Sequence, residues 1–399
     1  MTLETSLAEV LEWLFRTPPP AAVQRKAREK ALDTFGCVIA GRRHAEVGAF
    51  AQSLEAMDPG SAASAAAAFA AAACWDEACE GLARAHGRPG ISVLGALHAL
   101  ARSNRYTIDE VLAAYITGYE IGGRLGEVMR IGPGMHVDGY WPTLGVAAAV
   151  VRLRGGSAAH ALAAIRIAAC QLPNSLYLPV AAGANARNTY LSHAAQLGML
   201  SASAALGGVV APEGAVKGTA IAPVGEWLIL EAYLKPYAAV RHVHYGAAVA
   251  QTLRAEIDYK KIKAIELSTY KEAVTYCGNR APTTAIQAQF SLSYGVACML
   301  VTGELGPDSY AMDNPEIARL EKMIVLSEDP ALTGRGATLT VHVGDRKLEK
   351  KLEKVIGDPS MPMPREEILA KFARYAGRDG RDFLDAPGKD PFSVGFEYR

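Results

Sequence analysis

The 399-residue sequence carries 41 Lys and Arg against 41 Asp and Glu, nine His and six Cys, and half of its residues are apolar. At roughly 100 to 200 residues per domain, this length predicts about two domains and a sizeable core. Nucleic-acid binders normally carry a basic excess and disordered chains few apolar residues, so neither class fits.

The opening MTLETSLAEVLEWLF has acidic residues where a signal peptide needs basic ones, and its apolar positions recur at helical spacing. It predicts an amphipathic helix of the mature chain. The alanine-rich run from Ala62 to Cys74 falls short of the ~20 residues that cross a bilayer and reads as a buried helix. Cys37, Cys74, Cys79, Cys170, Cys277 and Cys298 are scattered without CxxC spacing, which points to reduced core thiols and a cytoplasmic location. Up to about residue 230 the pattern is that of a bundle of ten or so closely packed helices. A Gly-Gly-Ser break at 155 to 157 supplies a turn and an N-cap.

Beyond about residue 240 the texture changes. Ile262 to Tyr270 alternates like a half-buried strand, and 337-ATLTVHVGDRKLEKKLEK-354 reads as two strands around a Gly-Asp turn. Helices are expected at 245–257, 283–303 and 314–324. A last helix at 364–377, with Pro at its first position and Gly at its end, is expected to return to the first domain. The terminal DAPGKDPFSVGFEYR is expected to be loosely ordered. The fold class is therefore mainly α, with a large all-helical domain (1–239 with 363–399) and a smaller α+β lid domain (240–362).

Four polar stretches interrupt the helices. In 75-WDEACEGLARAHGRPG-90 a helical reading places Asp76, Glu80 and Arg84 on one face, with His86 in the following turn. This is either a solvated charge face or a carboxylate tuning a histidine for acid–base work. In 134-GMHVDGYWPTLGVAAA-149 a polar aromatic loop runs into a packed helix that Thr143 can cap; His136 and Tyr140 are its titratable groups, and plugging two domains is the structural alternative. Arg187, in 183-GANARNTYLSHAAQLG-198, is placed either to clamp a carboxylate or to cap a neighbouring helix. Lys235, Arg241, His242 and His244 gather at the composition change. His-x-His on a strand is a metal-ligand spacing, but without further ligands an anion pocket at a domain junction fits better, and no metal is assigned.

In this order the stretches resemble the MmgE/PrpD family, which includes 2-methylcitrate dehydratase, cis-aconitate decarboxylase and iminodisuccinate epimerase. The matching positions are Asp76 and His86; Gly139, Tyr140, Pro142 and Thr143; Gly183 and Ala195; Lys235, Tyr237 and His244; Phe290, Ser291 and Tyr294; and the closing 355-VIGDPSMPMPREEILAKF-372. Three departures stand out. Trp141 replaces the family's loop histidine, Arg187 replaces its lysine, and Glu80 and the longer His86-Gly87-Arg88-Pro89-Gly90 alter the acidic segment. The resemblance implies a site between the two domains, usually a homodimer, and cofactor-free chemistry on small di- or tricarboxylates.

Together these readings predict a lyase of dehydratase or decarboxylase type, with an epimerase or a non-catalytic carboxylate binder as the alternatives. The expected catalytic set is His86, Asp76, Lys235, Tyr294 and His244. Substrate contacts are expected from Arg187, Arg241, Glu80, His136, Tyr140, Trp141 and Arg88. The expected partner is a small carboxylate, with no nucleic acid, membrane or cofactor. The neutral total is expected to conceal a local cationic pocket sized for that carboxylate.

Overall fold

The computed structural model describes residues 2–103 and 106–385. Its first part is helical, as the periodicity requires. The amphipathic helix Leu3–Arg16 buries Leu7, Val10, Leu11 and Leu14, and Thr2 Oγ1 caps it by accepting the Thr5 amide at 3.2 Å. The alanine-rich helix Ala62–Trp75 is buried, and Ser157 caps Ala158–Ala169 where the Gly-Gly-Ser break predicts a cap. Among the described residues ten α-helices precede Gly207. Their small residues let backbones touch: a Cβ on Gly145 would lie 2.5 Å from the Gly118 carbonyl oxygen, and one on Gly41 2.0 Å from that of Ala72.

The sheet lobe follows. Strands β1 (Gly81–Leu82) and β2 (Ala232–Tyr233) form a two-residue antiparallel ladder, a strand pair the helical reading of this region did not anticipate. The lobe itself is built on β3 (Ile262–Thr269), β4 (Ile324–Glu328), β5 (Ala337–Val343) and β6 (Arg346–Leu352), ordered β4-β3-β5-β6. β3 runs parallel to β4 and antiparallel to β5, and β5 and β6 form the expected hairpin around Gly344, whose φ is +60°. Ile265 and Leu267 of β3 and Leu339 and Val341 of β5 are buried, and the helix Val243–Arg254 packs against this sheet and against Leu292–Thr302.

Four boundaries differ from the sequence reading, the first being the helix expected over 245–257, which runs from Val243 to Arg254. The helix expected over 283–303 divides into Ala285–Gln289 and Leu292–Thr302, because Ser291 turns extended and its hydroxyl accepts the Tyr294 amide at 3.1 Å. The helix expected over 314–324 stops at Met323 and continues as β4. The helix expected at 364–377 is Arg365–Ala376, with Pro364 at its N-cap rather than inside the first turn, and a short helix, Arg381–Asp385, follows it. Arg365–Ala376 does return to the helical part. It packs along Ala21–Gly41, with Phe372 over Gly36 and Lys371 Nζ 2.5 Å from Asp33 Oδ1. Residues 386–399, which hold nearly all of the expected loose tail, lie outside the described residues.

Candidate active site

A cavity of about 1160 Å³ opens along the seam between the helical part and the sheet lobe. One of its buried lining groups is one the sequence reading passed over, Glu77. The helix Ala62–Trp75 ends at Asp76, and Glu77 then takes a left-handed φ of +52°, so the chain leaves the helix and runs as a loop to Gly90. Arg88 Nη1 donates to Glu77 Oε2 at 3.0 Å and Lys235 Nζ to Oε1 at 2.6 Å, while Arg187 Nη2 closes on Oε2. Burial opposes the charge on Glu77, but Arg187, Arg88 and Lys235 outweigh it and hold the carboxyl well below its ordinary range.

The neighbouring groups extend this network. Arg88 also binds Asp138, and both Arg88 and Arg187 donate to the Cys74 sulfur at 3.0 Å. Arg241 pairs with Asp358 and lies over the rings of Tyr233 and Tyr245, 4.9 and 5.5 Å from their centroids. His136 lines the cavity, with its Nδ1 accepting the Asp138 amide, and burial lowers its pKa to about 4. His242 lines it from the start of Val243–Arg254, sharing a 2.6 Å hydrogen bond with the Tyr270 hydroxyl. Burial lowers its pKa to about 3, so it is neutral at physiological pH. His86 faces the cavity with a φ of +54°, and burial, then Arg130 and Arg335, push its pKa down. Of the expected site residues, His86, Arg88, His136, Arg187, Lys235 and Arg241 meet here.

The others do not. The stretch 75–90 is not a helix, so Asp76, Glu80 and Arg84 share no face. Asp76, the C-cap, turns to His44, 2.7 Å from its Nε2, and orients no histidine of the cavity. Glu80 is fully buried beneath the loop, accepting from Lys30 at 2.5 Å and from the Gly90 amide at 2.9 Å. Arg84 bridges Glu127, Glu226 and Glu231. Trp141 belongs to the core, and a Cβ on Gly87 would come within 2.6 Å of its ring; it seats the loop that carries His86 and Arg88 and does not line the cavity. Tyr140 is half-buried against the same core. Thr143 does not cap its helix, since Pro142 leads it and the hydroxyl donates to the Gly139 carbonyl at 3.1 Å.

His244 and Tyr294 also fall outside the cavity. His244 is fully buried and its Nε2–H donates to the Ala239 carbonyl at 3.0 Å, which leaves Nδ1 to accept from Arg241 at 3.1 Å and no proton to exchange. The Tyr294 hydroxyl donates to the Ser309 carbonyl at 2.6 Å. Among the described residues no group of three or more His, Cys, Asp or Glu side chains is placed to hold a metal ion, and no helix is long and apolar enough to cross a membrane.

The charge pattern also departs from expectation. The lining includes six Lys or Arg and six Asp or Glu side chains. The buried floor holds Arg88, Arg187, Lys235 and Arg241 against Glu77, Asp138 and Asp358, whereas Lys271 stands with Glu272, Glu328 and Asp329 near the mouth. The cationic character thus resides in the floor and in Arg335 of the segment joining β4 to β5, while acids outnumber Lys271 near the mouth. Buried cations cannot be left unpaired, and the fold supplies acids to match most of them.

Fold and cavity together define a mainly helical protein with a smaller α+β part and a charged cavity at their seam. The MmgE/PrpD N-terminal domain matches residues 5–222 and the MmgE/PrpD C-terminal domain residues 237–380, so the chain belongs to the MmgE/PrpD family. The role typical of that family is dehydratase-like. No curated protein matches the chain.

Proposed function

We propose that this chain is a cofactor-independent lyase that takes a proton from the carbon next to a carboxylate of a small di- or tricarboxylate. The observation that supports this most is a single cavity joining a neutral, cavity-facing histidine, His86, to a floor of buried cations. Proton loss beside a carboxylate builds an enolate-like dianion, and fixed cations in a desolvated pocket stabilise that charge without a cofactor. His86 accepts the proton, since its lowered pKa leaves the imidazole unprotonated at neutral pH. Arg187 and Arg241 bind carboxylate oxygens; each retains a buried Nε–H that nothing among the described residues accepts. Lys235, whose pKa burial lowers, gives its proton to the departing hydroxide, so the products are an unsaturated acid and water.

A second reading, a carboxylate-binding protein without turnover, draws support from Glu77, which already occupies donors of Arg88, Arg187 and Lys235. The test is a screen of citrate-, aconitate- and aminosuccinate-like acids in D2O by proton NMR. The lyase predicts deuterium exchange at the carbon beside a carboxylate together with an unsaturated product. Exchange without elimination would move the assignment to an isomerase, and binding without exchange to the carboxylate binder; either result overturns the lyase.

A further inference from the structure

The guanidinium groups of the cavity floor are committed to protein acceptors: Arg88 to Glu77 and Asp138, Arg187 to Glu77 and Asn188, and Arg241 to Asp358. Arg335 is not. It lines the same cavity from the segment joining β4 to β5, it is half-buried, and among the described residues it makes no hydrogen bond or ion pair. The groups nearest in electrostatic influence are the phenols of Tyr233, Tyr270 and Tyr245, ahead of the already paired Asp358.

Holding a guanidinium partly out of water with no acceptor is costly, and its planar fork of N–H donors matches a carboxylate in bidentate fashion. Docking of a carboxylate there recovers that cost. The placement adds a second constraint, because Arg335 belongs to the sheet lobe while Glu77, Arg88 and Arg187 belong to the helical part. A ligand with one carboxylate satisfies one side of the seam. A ligand with two satisfies both.

Resting on the lyase reading above, we infer that Arg335 is the specificity-determining residue for polycarboxylates: it takes the carboxylate remote from the reacting carbon, while the buried floor takes the nearer one. Lysine substitutes poorly, since an ammonium offers a point charge in place of the fork. Arg335 also disfavours protonation of His86, so its loss shifts the acid side of the rate profile to higher pH, a change that a packing defect alone would not produce.

Calorimetric titration of the full chain with succinate, tricarballylate and the monocarboxylate butyrate tests this. In R335Q the affinity for succinate and tricarballylate falls by about tenfold or more while that for butyrate stays unchanged, and R335K falls between. Because Arg335 has no hydrogen-bond or ion-pair partner among the described residues, the thermal midpoint of R335Q matches wild type, which separates lost recognition from lost folding. Equal affinities in R335Q and wild type, or an equal loss for mono- and dicarboxylates, overturn the inference. Wild-type protein that binds neither succinate nor tricarballylate overturns it too. The proton-exchange screen uses wild-type protein alone, so a failure of the lyase reading is recorded separately from a failure of Arg335.

Discussion

His86 combines a left-handed backbone, a depressed pKa and a cavity-facing imidazole. A non-glycine residue in that conformation persists only where its surroundings enforce it, and here the next residue, Gly87, is pressed against Trp141. The unprotonated form does the work in the proposed reaction. Its pKa lies below the ordinary 6.5, so kcat/KM is flat near neutrality and falls on acidification through that lowered value, about tenfold per pH unit. His86→Asn keeps a residue that tolerates positive φ and removes the base; kcat/KM drops by about 100-fold or more with the thermal midpoint unchanged. Retention of wild-type kcat/KM by this variant would remove His86 from the mechanism. The same loop shows why Glu77 was not legible in the sequence. Asp76 and Glu77 are adjacent acids of similar chemistry, and only the left-handed turn decides that the first meets His44 while the second enters the cation cluster. Arg187 was legible as the one cation of a Gly/Asn-rich loop, and Lys235 as part of the cluster with Arg241, His242 and His244 at the composition change.

At the scale of elements, close backbone approach organises the helical part. Pro142–Leu153 crosses Ile108–Val128 with Gly145 against Gly118, and Tyr190–Leu206 meets Pro142–Leu153 with Gly198 against Val146. Gly145→Ala puts a methyl 2.5 Å from a backbone oxygen that cannot rotate away, so the helices must separate. The expected loss is about 1–3 kcal/mol despite alanine's better helix propensity, read as a lower urea midpoint with an unchanged m-value. A midpoint at or above wild type would show that the interface has slack. Most helices and the β5–β6 hairpin were legible because composition and turn residues act locally. β4 was not: it is an edge strand that buries Ile324 and exposes Val325, Ser327 and Glu328, so it follows its helix with no alternating face to read. The 75–90 segment misled because its charge spacing is helical while its backbone at Glu77 is not.

Across the whole molecule, formal neutrality is reached by local pairing. Buried acids sit with buried bases in the cavity floor and also beneath it, at Lys30 with Glu80 and at Lys371 with Asp33. The last pair joins ends of the chain: Lys371 comes from Arg365–Ala376 and Asp33 from Ala21–Gly41, and Lys371 Nζ also donates at 2.8 Å to the Ala78 carbonyl, next to Glu77. Asp33 holds Lys371 protonated in a site water does not reach. Lys371→Met strands the Asp33 carboxylate without its paired counter-charge, a change that costs about 3–5 kcal/mol, whereas the Asp33→Asn, Lys371→Met double variant removes both charges of the pair and recovers most of that loss. Urea unfolding of the two single variants and the double variant measures the coupling. Because Ala78 loses its donor in every Lys371→Met background, the double variant regains stability without regaining full turnover. Additive losses would mean that the pair is not the tie between Arg365–Ala376 and the site loop.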